Sequence, residues 1–243
     1  MNPFSQEIII PLGLLMGALV HGLAGFGFAL VAVPLLALIY PLRLIVPLVA
    51  LNGLVINLAL FGLLRRHFRP ALIKPLLLGA LPGIVVGVVI LKKVPEGPLR
   101  WLLALVLGGY GLFGLFSPHP RITLSPSWGY FFGLIAGALG AALNTPGPPV
   151  VIYISLSRLK KEEMKVALQG FFAILGVFVV GLYLLGGLIS SFVWRWFLLS
   201  LPLVALGLVS GQILFHRLGE TAYRRLIFGL LVVLGLMMIP RGN

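Results

Sequence analysis

The residues of this chain that could do chemistry are few and uncharged. Asn144 and Thr145 stand in the run Leu143-Asn144-Thr145-Pro146-Gly147-Pro148-Pro149, in the middle of a long apolar stretch. Asn52, Asn57 and Gln169 place further amides inside apolar segments. Each can donate a hydrogen bond, either to a substrate or to a neighbouring helix. His21 is the one histidine well inside an apolar segment, and an unperturbed imidazole titrates near pH 6.5, so it can take up and release a proton. Its other reading is a ring satisfied by a backbone carbonyl. Every acid, Glu7, Glu96, Glu162, Glu163 and Glu220, sits at a segment end or in a loop. Proton pumps and cation carriers usually keep a carboxylate within the membrane, so the pattern argues against a cationic substrate. No two histidines share a helix face, which argues against a metal enzyme or an intramembrane protease. No catalytic residue, metal or cofactor is expected, and the chain reads as a non-enzyme.

The donors gather where helix cannot continue. Pro146, Pro148 and Pro149 lack backbone donors, and Gly147 admits angles other residues avoid. Helix is predicted to break around Asn144 and Thr145. Irregular backbone at membrane depth survives only where it lines a cavity or is buried in protein. The first half carries its own interruption, Gly22-Leu23-Ala24-Gly25-Phe26-Gly27-Phe28. Paired interruptions in the two halves of a membrane protein point to a transporter's substrate site. Helix N-termini carry about half a positive charge and bind anions without Lys or Arg. The substrate is therefore expected near the midplane between Gly25, Phe26 and Gly27 on one side and Asn144, Thr145 and Gly147 on the other. Asn144 and Thr145 would donate, Gly27 and Gly147 would let backbone amides approach, and Asn52, Asn57 and Gln169 are further candidates.

Composition says what must position these residues. The chain of 243 residues is 60% hydrophobic and 9% charged, against roughly 25% charged in soluble domains. It reads as a multi-pass helical membrane protein filled by segments of about 20 residues, with no room for a soluble domain. The net charge of +13 marks cytoplasmic loops; no basic helix or aromatic platform supports nucleic-acid binding. Arg65, Arg66, His67 and Arg69 read as a topology anchor, with an electrostatic funnel for anions the alternative; Trp101, Trp128, Trp194 and Trp196 read as interface anchors, and His119 and His216 as interfacial. Cysteine is absent, and the polar start from Met1 to Glu7 shows no cleavable signal.

The chain divides into four apolar segments, a polar linker and four more. Residues 1–116 form a first transmembrane repeat, 117–126 a linker and 127–243 a second repeat. Sliding one half over the other matches Gly13 with Gly133, Gly17 with Gly137, Gly27 with Gly147 and Pro82 with Pro202. In a second register Lys93, Glu96 and Arg100 meet Arg217, Glu220 and Arg224. Glycines at four-residue spacing, Gly79, Gly83 and Gly87, then Gly129, Gly133 and Gly137, then Gly207 and Gly211, read as helix-packing positions. The first segment of each half is too long for one span. It is either a single broken helix or a re-entrant hairpin with two equal arms, Ile8–Gly22 and Phe26–Tyr40 in the first half. The hairpin topology puts twice as many Lys and Arg on one side as on the other, the stronger bias, and is preferred.

Gly22-Leu23-Ala24-Gly25-Phe26-Gly27-Phe28-Ala29-Leu30-Val31-Ala32-Val33-Pro34-Leu35 resembles the first-repeat signature of the TauE/SafE family of sulfite and organosulfonate exporters. Leu143 to Val151, with its asparagine and Gly-Pro-Pro, resembles the second-repeat counterpart. Phe26 and Phe28 stand where many members carry further glycines. The resemblance implies export of sulfite or a small sulfonate across the bacterial inner membrane. The expected fold is an all-α polytopic membrane protein of two inverted repeats, each a broken hairpin plus three transmembrane helices. The expected function is secondary transport of a small anion, by movement of a hairpin past a static scaffold. The alternatives are an anion channel or a structural subunit of a membrane complex. Partners are the anionic substrate and the lipid bilayer, with a homo-oligomer allowed for and no nucleic acid.

Overall fold

The computed structural model describes residues 3–116, 124–156, 161–215 and 220–239. Most of the linker, 117–123, lies outside them, as do His119, His216, Arg217 and the side chains of His67, Glu220 and Arg224. Among the described residues all regular structure is helical. The order is α1 Pro3–Ala24, α2 Phe28–Ala37, α3 Leu42–Leu64, a short 3-10 turn at Arg65–His67, α4 Pro70–Lys93, α5 Glu96–Phe116, α6 Trp128–Leu143, α7 Gly147–Ser155, α8 Lys161–Leu185, α9 Ser191–Phe215 and α10 Glu220–Met238. Five of these, α3, α4, α5, α8 and α9, are long and apolar enough to cross a membrane.

The chain forms two compact units, and each draws on both halves of the sequence. One holds α1, α2, the start of α3 up to Val49, α5, α9 and α10; the other holds α3 from Ala50, α4, α6, α7 and α8. They follow one plan. In the first, α1 runs parallel to α9: a methyl on Gly207 would press on the Leu15 carbonyl, one on Gly211 on that of Leu19, and one on Gly22 on that of Leu208. In the second, α4 runs parallel to α6, with Gly79, Gly83 and Gly87 seated on the carbonyls of Tyr130, Leu134 and Ala138. Gly133 and Gly137 sit in return on those of Leu76 and Ala80. Lipid gives apolar helices no reason to associate, so close backbone approach between small residues is what holds these pairs. The four-residue glycine spacing is packing, as expected.

The first segment of each half is a hairpin. Gly13 packs on Leu36 while Gly17 packs on Phe28 and Ala32, so α2 turns back along α1. Gly140 meets Pro146 while Gly129 meets Tyr153, so α7 turns back along α6. The arms are unequal, which corrects the expectation of two matched arms. In the first half they have 22 and 10 residues; in the second, 16 and 9. Gly22, Leu23 and Ala24 stay helical, Gly22 seated on Leu208 and Gly211 of α9, and Leu38 to Tyr40 form a turn. The breaks shrink to Gly25–Gly27 and 144–146. Gly25 then corresponds to Asn144 and Gly27 to Pro146, one residue off the register that matches Gly27 with Gly147.

Polar pairs tie the helix starts. In the first unit the Leu42 amide, at the start of α3, donates to Glu96 Oε1 at 2.8 Å. Glu96 also meets Arg100 at 3.5 Å, and Arg43 donates to the Val94 carbonyl at 3.2 Å. A carboxylate on a helix N-terminus satisfies a donor and the helix dipole together.

Candidate functional site at two helix breaks

In the first unit, α1 ends on a closing bond from the Gly25 amide to the His21 carbonyl, 2.7 Å. Gly25 and Gly27 both hold left-handed backbone, φ +72° and +96°, which reverses the chain within three residues. Phe26, between them, lays its ring edge-on to Tyr110 of α5 at 6.4 Å, and Tyr110 meets Phe228 of α10 at 5.4 Å. This aromatic chain holds the turn. The α2 start has no side-chain cap. Four residues there, Gly27, Phe28, Ala29 and Leu30, own an N–H that the helix itself leaves without a partner. The space where a Gly27 side chain would stand is open, with Val20 the nearest atom at 3.8 Å. His21, one turn back, is buried, and neither ring nitrogen has a hydrogen-bond partner among the described residues. It shares a helix face with Ile10, Leu14 and Ala18, all fully buried.

In the second unit Asn144 takes the left-handed role, φ 54°, its amide donating to the Gly140 carbonyl at 2.9 Å. The Thr145 amide donates to the Leu139 carbonyl at 3.2 Å. Its side chain is fully buried and Oγ1 has no hydrogen-bond partner among the described residues. Behind the break, Tyr183 of α8 donates to the Ala141 carbonyl at 2.6 Å, occupying an acceptor in the last turn of α6. Pro148 and Pro149 fit the first turn of α7, where no amide bond is lost. The same prolines, with Pro146, strip that terminus of donors. Only Gly147 keeps an N–H, so α7 offers one amide and the Thr145 hydroxyl where α2 offers four amides.

The candidates divide between the units. His21, Gly25, Phe26 and Gly27 lie in the first; Asn52, Asn57, Asn144, Thr145, Gly147 and Gln169 lie in the second. Asn52 and Gln169 are buried, and Asn57 has a buried Oδ1 with no hydrogen-bond partner among the described residues. Tyr183 and the pair Tyr110 and Phe228 were not anticipated. A tyrosine inside an apolar run was the available signal for Tyr183. Of the expected interface anchors, Trp101, Trp128 and Trp194 are exposed, but Trp196 is buried against Phe192, with Arg195 over its ring at 5.8 Å. Its helix face, rather than its nearness to a segment end, decides that.

A sequence model of the sulfite exporter family TauE/SafE matches residues 9–238. The chain belongs to the TauE/SafE family. It is thus a multi-pass membrane protein of a transporter family, and both breaks fall inside the matched region. No curated protein and no solved structure matches the chain.

Proposed function

We propose that this TauE/SafE protein is a secondary transporter that carries a small anion, sulfite or a small organosulfonate, across the bacterial inner membrane. The observation that carries this reading is the fully buried Thr145 hydroxyl, without a hydrogen-bond partner among the described residues, set at an uncapped helix start. Leaving such a group unsatisfied costs about 1–3 kcal/mol, a cost that an oxyanion accepting its hydrogen bond removes. Asn144 and the Gly147 amide complete that donor set, and the α2 amides with Gly25 and Gly27 form the other. Family membership and loop charges favour inverted repeats with hairpins that re-enter the membrane, the arrangement that alternating access uses.

Among the described residues, His21 supplies the one titratable cation near a break. Of the helices packed on α1, α2 carries no ionisable residue. The described part of α9 carries only Arg195, at the end of that helix remote from Leu208 and Gly22. Protonated His21 would pair with the anion, so flux and proton movement would be coupled through it.

The test is flux of sulfite or a sulfonate into vesicles holding the purified chain. A carrier saturates and shows counter-flow; a channel does neither, and a structural subunit carries nothing alone. Asn144→Ala and Thr145→Ala are expected to reduce flux at least tenfold, and normal flux in both at normal expression would refute the assignment.

A further inference from the structure

In the second unit an apolar cavity of about 80 Å³ opens between α4 and α8, walled by Leu77, Leu81 and Ile84 on one side and Ile174, Leu175 and Phe178 on the other. Its rim faces out of the protein: Leu78 is 44%, Leu81 40% and Phe178 49% exposed. In a membrane-spanning segment this is a groove open to lipid.

One end of the groove is strongly basic. Lys74, exposed, lies on the same stripe of α4 as Leu77, Leu78 and Leu81, one turn before the groove begins. Arg69, also exposed, reaches Glu163 at 3.5 Å and so ties the start of α4 to the start of α8. Arg65 and Arg66, exposed on the 3-10 turn, complete the cluster, because that turn packs beside α8. Among the described residues here four cations face a single acid, Glu163.

We propose that this surface is a docking site for an anionic phospholipid, with its phosphate among Lys74, Arg66 and Arg69 and one acyl chain along the α4–α8 groove. Charge decides the lipid class. A zwitterionic headgroup would bring its own ammonium against four cations, whereas phosphatidylglycerol brings only negative charge. The groove decides between lipid and free phosphate, since only lipid has a chain to fill it.

The test uses the full chain, stripped of lipid in detergent, with its thermal midpoint read as phosphatidylglycerol or phosphatidylethanolamine of the same acyl chains is added. Phosphatidylglycerol is expected to raise the midpoint about 3 °C more than phosphatidylethanolamine. That excess is expected to vanish in Lys74→Gln combined with Arg66→Gln, and to persist in Lys74→Arg. Leu81→Trp, which fills the groove, is expected to lower the shift given by either lipid, judged against its own lipid-free midpoint. Equal shifts from the two lipids, or an undiminished excess in the double variant, would overturn the proposal. So would an equal shift from glycerol phosphate alone, which would assign the patch to a free anion.

Discussion

Thr145 and His21 are the residues whose surroundings ask most for a guest. A buried hydroxyl with no partner is better replaced by a methyl group as far as folding alone is concerned. Thr145→Val is therefore expected to leave stability unchanged or raise it by about 1 kcal/mol while cutting flux at low substrate at least tenfold, the loss of one hydrogen bond to a charged group. Paired thermal-melt and vesicle-flux measurements check both signs, and a merely structural threonine would show the opposite pattern. His21→Gln keeps hydrogen bonding and removes the charge. With a sulfonate, whose own charge is constant between about pH 5 and 8, wild-type flux is expected to rise as pH falls, because protonation gives His21 the charge that pairs with the anion, and the variant's flux to stay flat. A wild-type pH profile reproduced by His21→Gln would remove this residue from the mechanism.

At the scale of elements, the glycine seams carry the fold. A side chain at Gly83 would drive into the Leu134 carbonyl, and rigid backbone cannot yield as a flexible side chain does. Gly83→Val is expected to cost about 3 kcal/mol or more and to abolish recovery of folded protein, whereas Gly62→Val, in open space, is expected to be tolerated. Detergent-extracted yield on size exclusion distinguishes them. Such seams were readable beforehand, because four-residue spacing puts Gly79, Gly83 and Gly87 on one helix face. So were the breaks, since Gly25, Gly27, Pro146, Pro148 and Pro149 each restrict or free the backbone in a known way. The lengths of the hairpin arms were not, because residues 8–40 are apolar almost throughout and carry no polar marker of where α2 stops. Pro34 does not mark it either, lying inside α2. The unequal supply of amides at the two breaks was already written in the three prolines. Its consequence, that α7 leans on the Thr145 hydroxyl, needed the burial of that side chain to be seen.

At the scale of the molecule, neither half is self-sufficient. Residues 1–116 contain α1 without α9 and α4 without α6, and those are the closest helix pairs in their units. Which helix meets which was hidden in the sequence, for glycine-lined faces occur on several helices and only their fit selects the partner. Expressed separately, 1–116 and 127–243 are each expected to be degraded; expressed together, they are expected to co-purify as a folded complex. A half that is stable and monodisperse alone would contradict the pairing.

That pairing also has a cost in time. When α1 and α2 leave the ribosome, α9 has not been made, and at about 5–20 residues per second its synthesis is roughly ten to forty seconds away. Throughout that wait the face of α1 bearing Leu15, Leu19 and Gly22 stands in lipid with no helix to receive it. The biogenesis of this protein is therefore expected to include a holding stage, in which early helices wait within the bilayer until the last third of the chain arrives to close them.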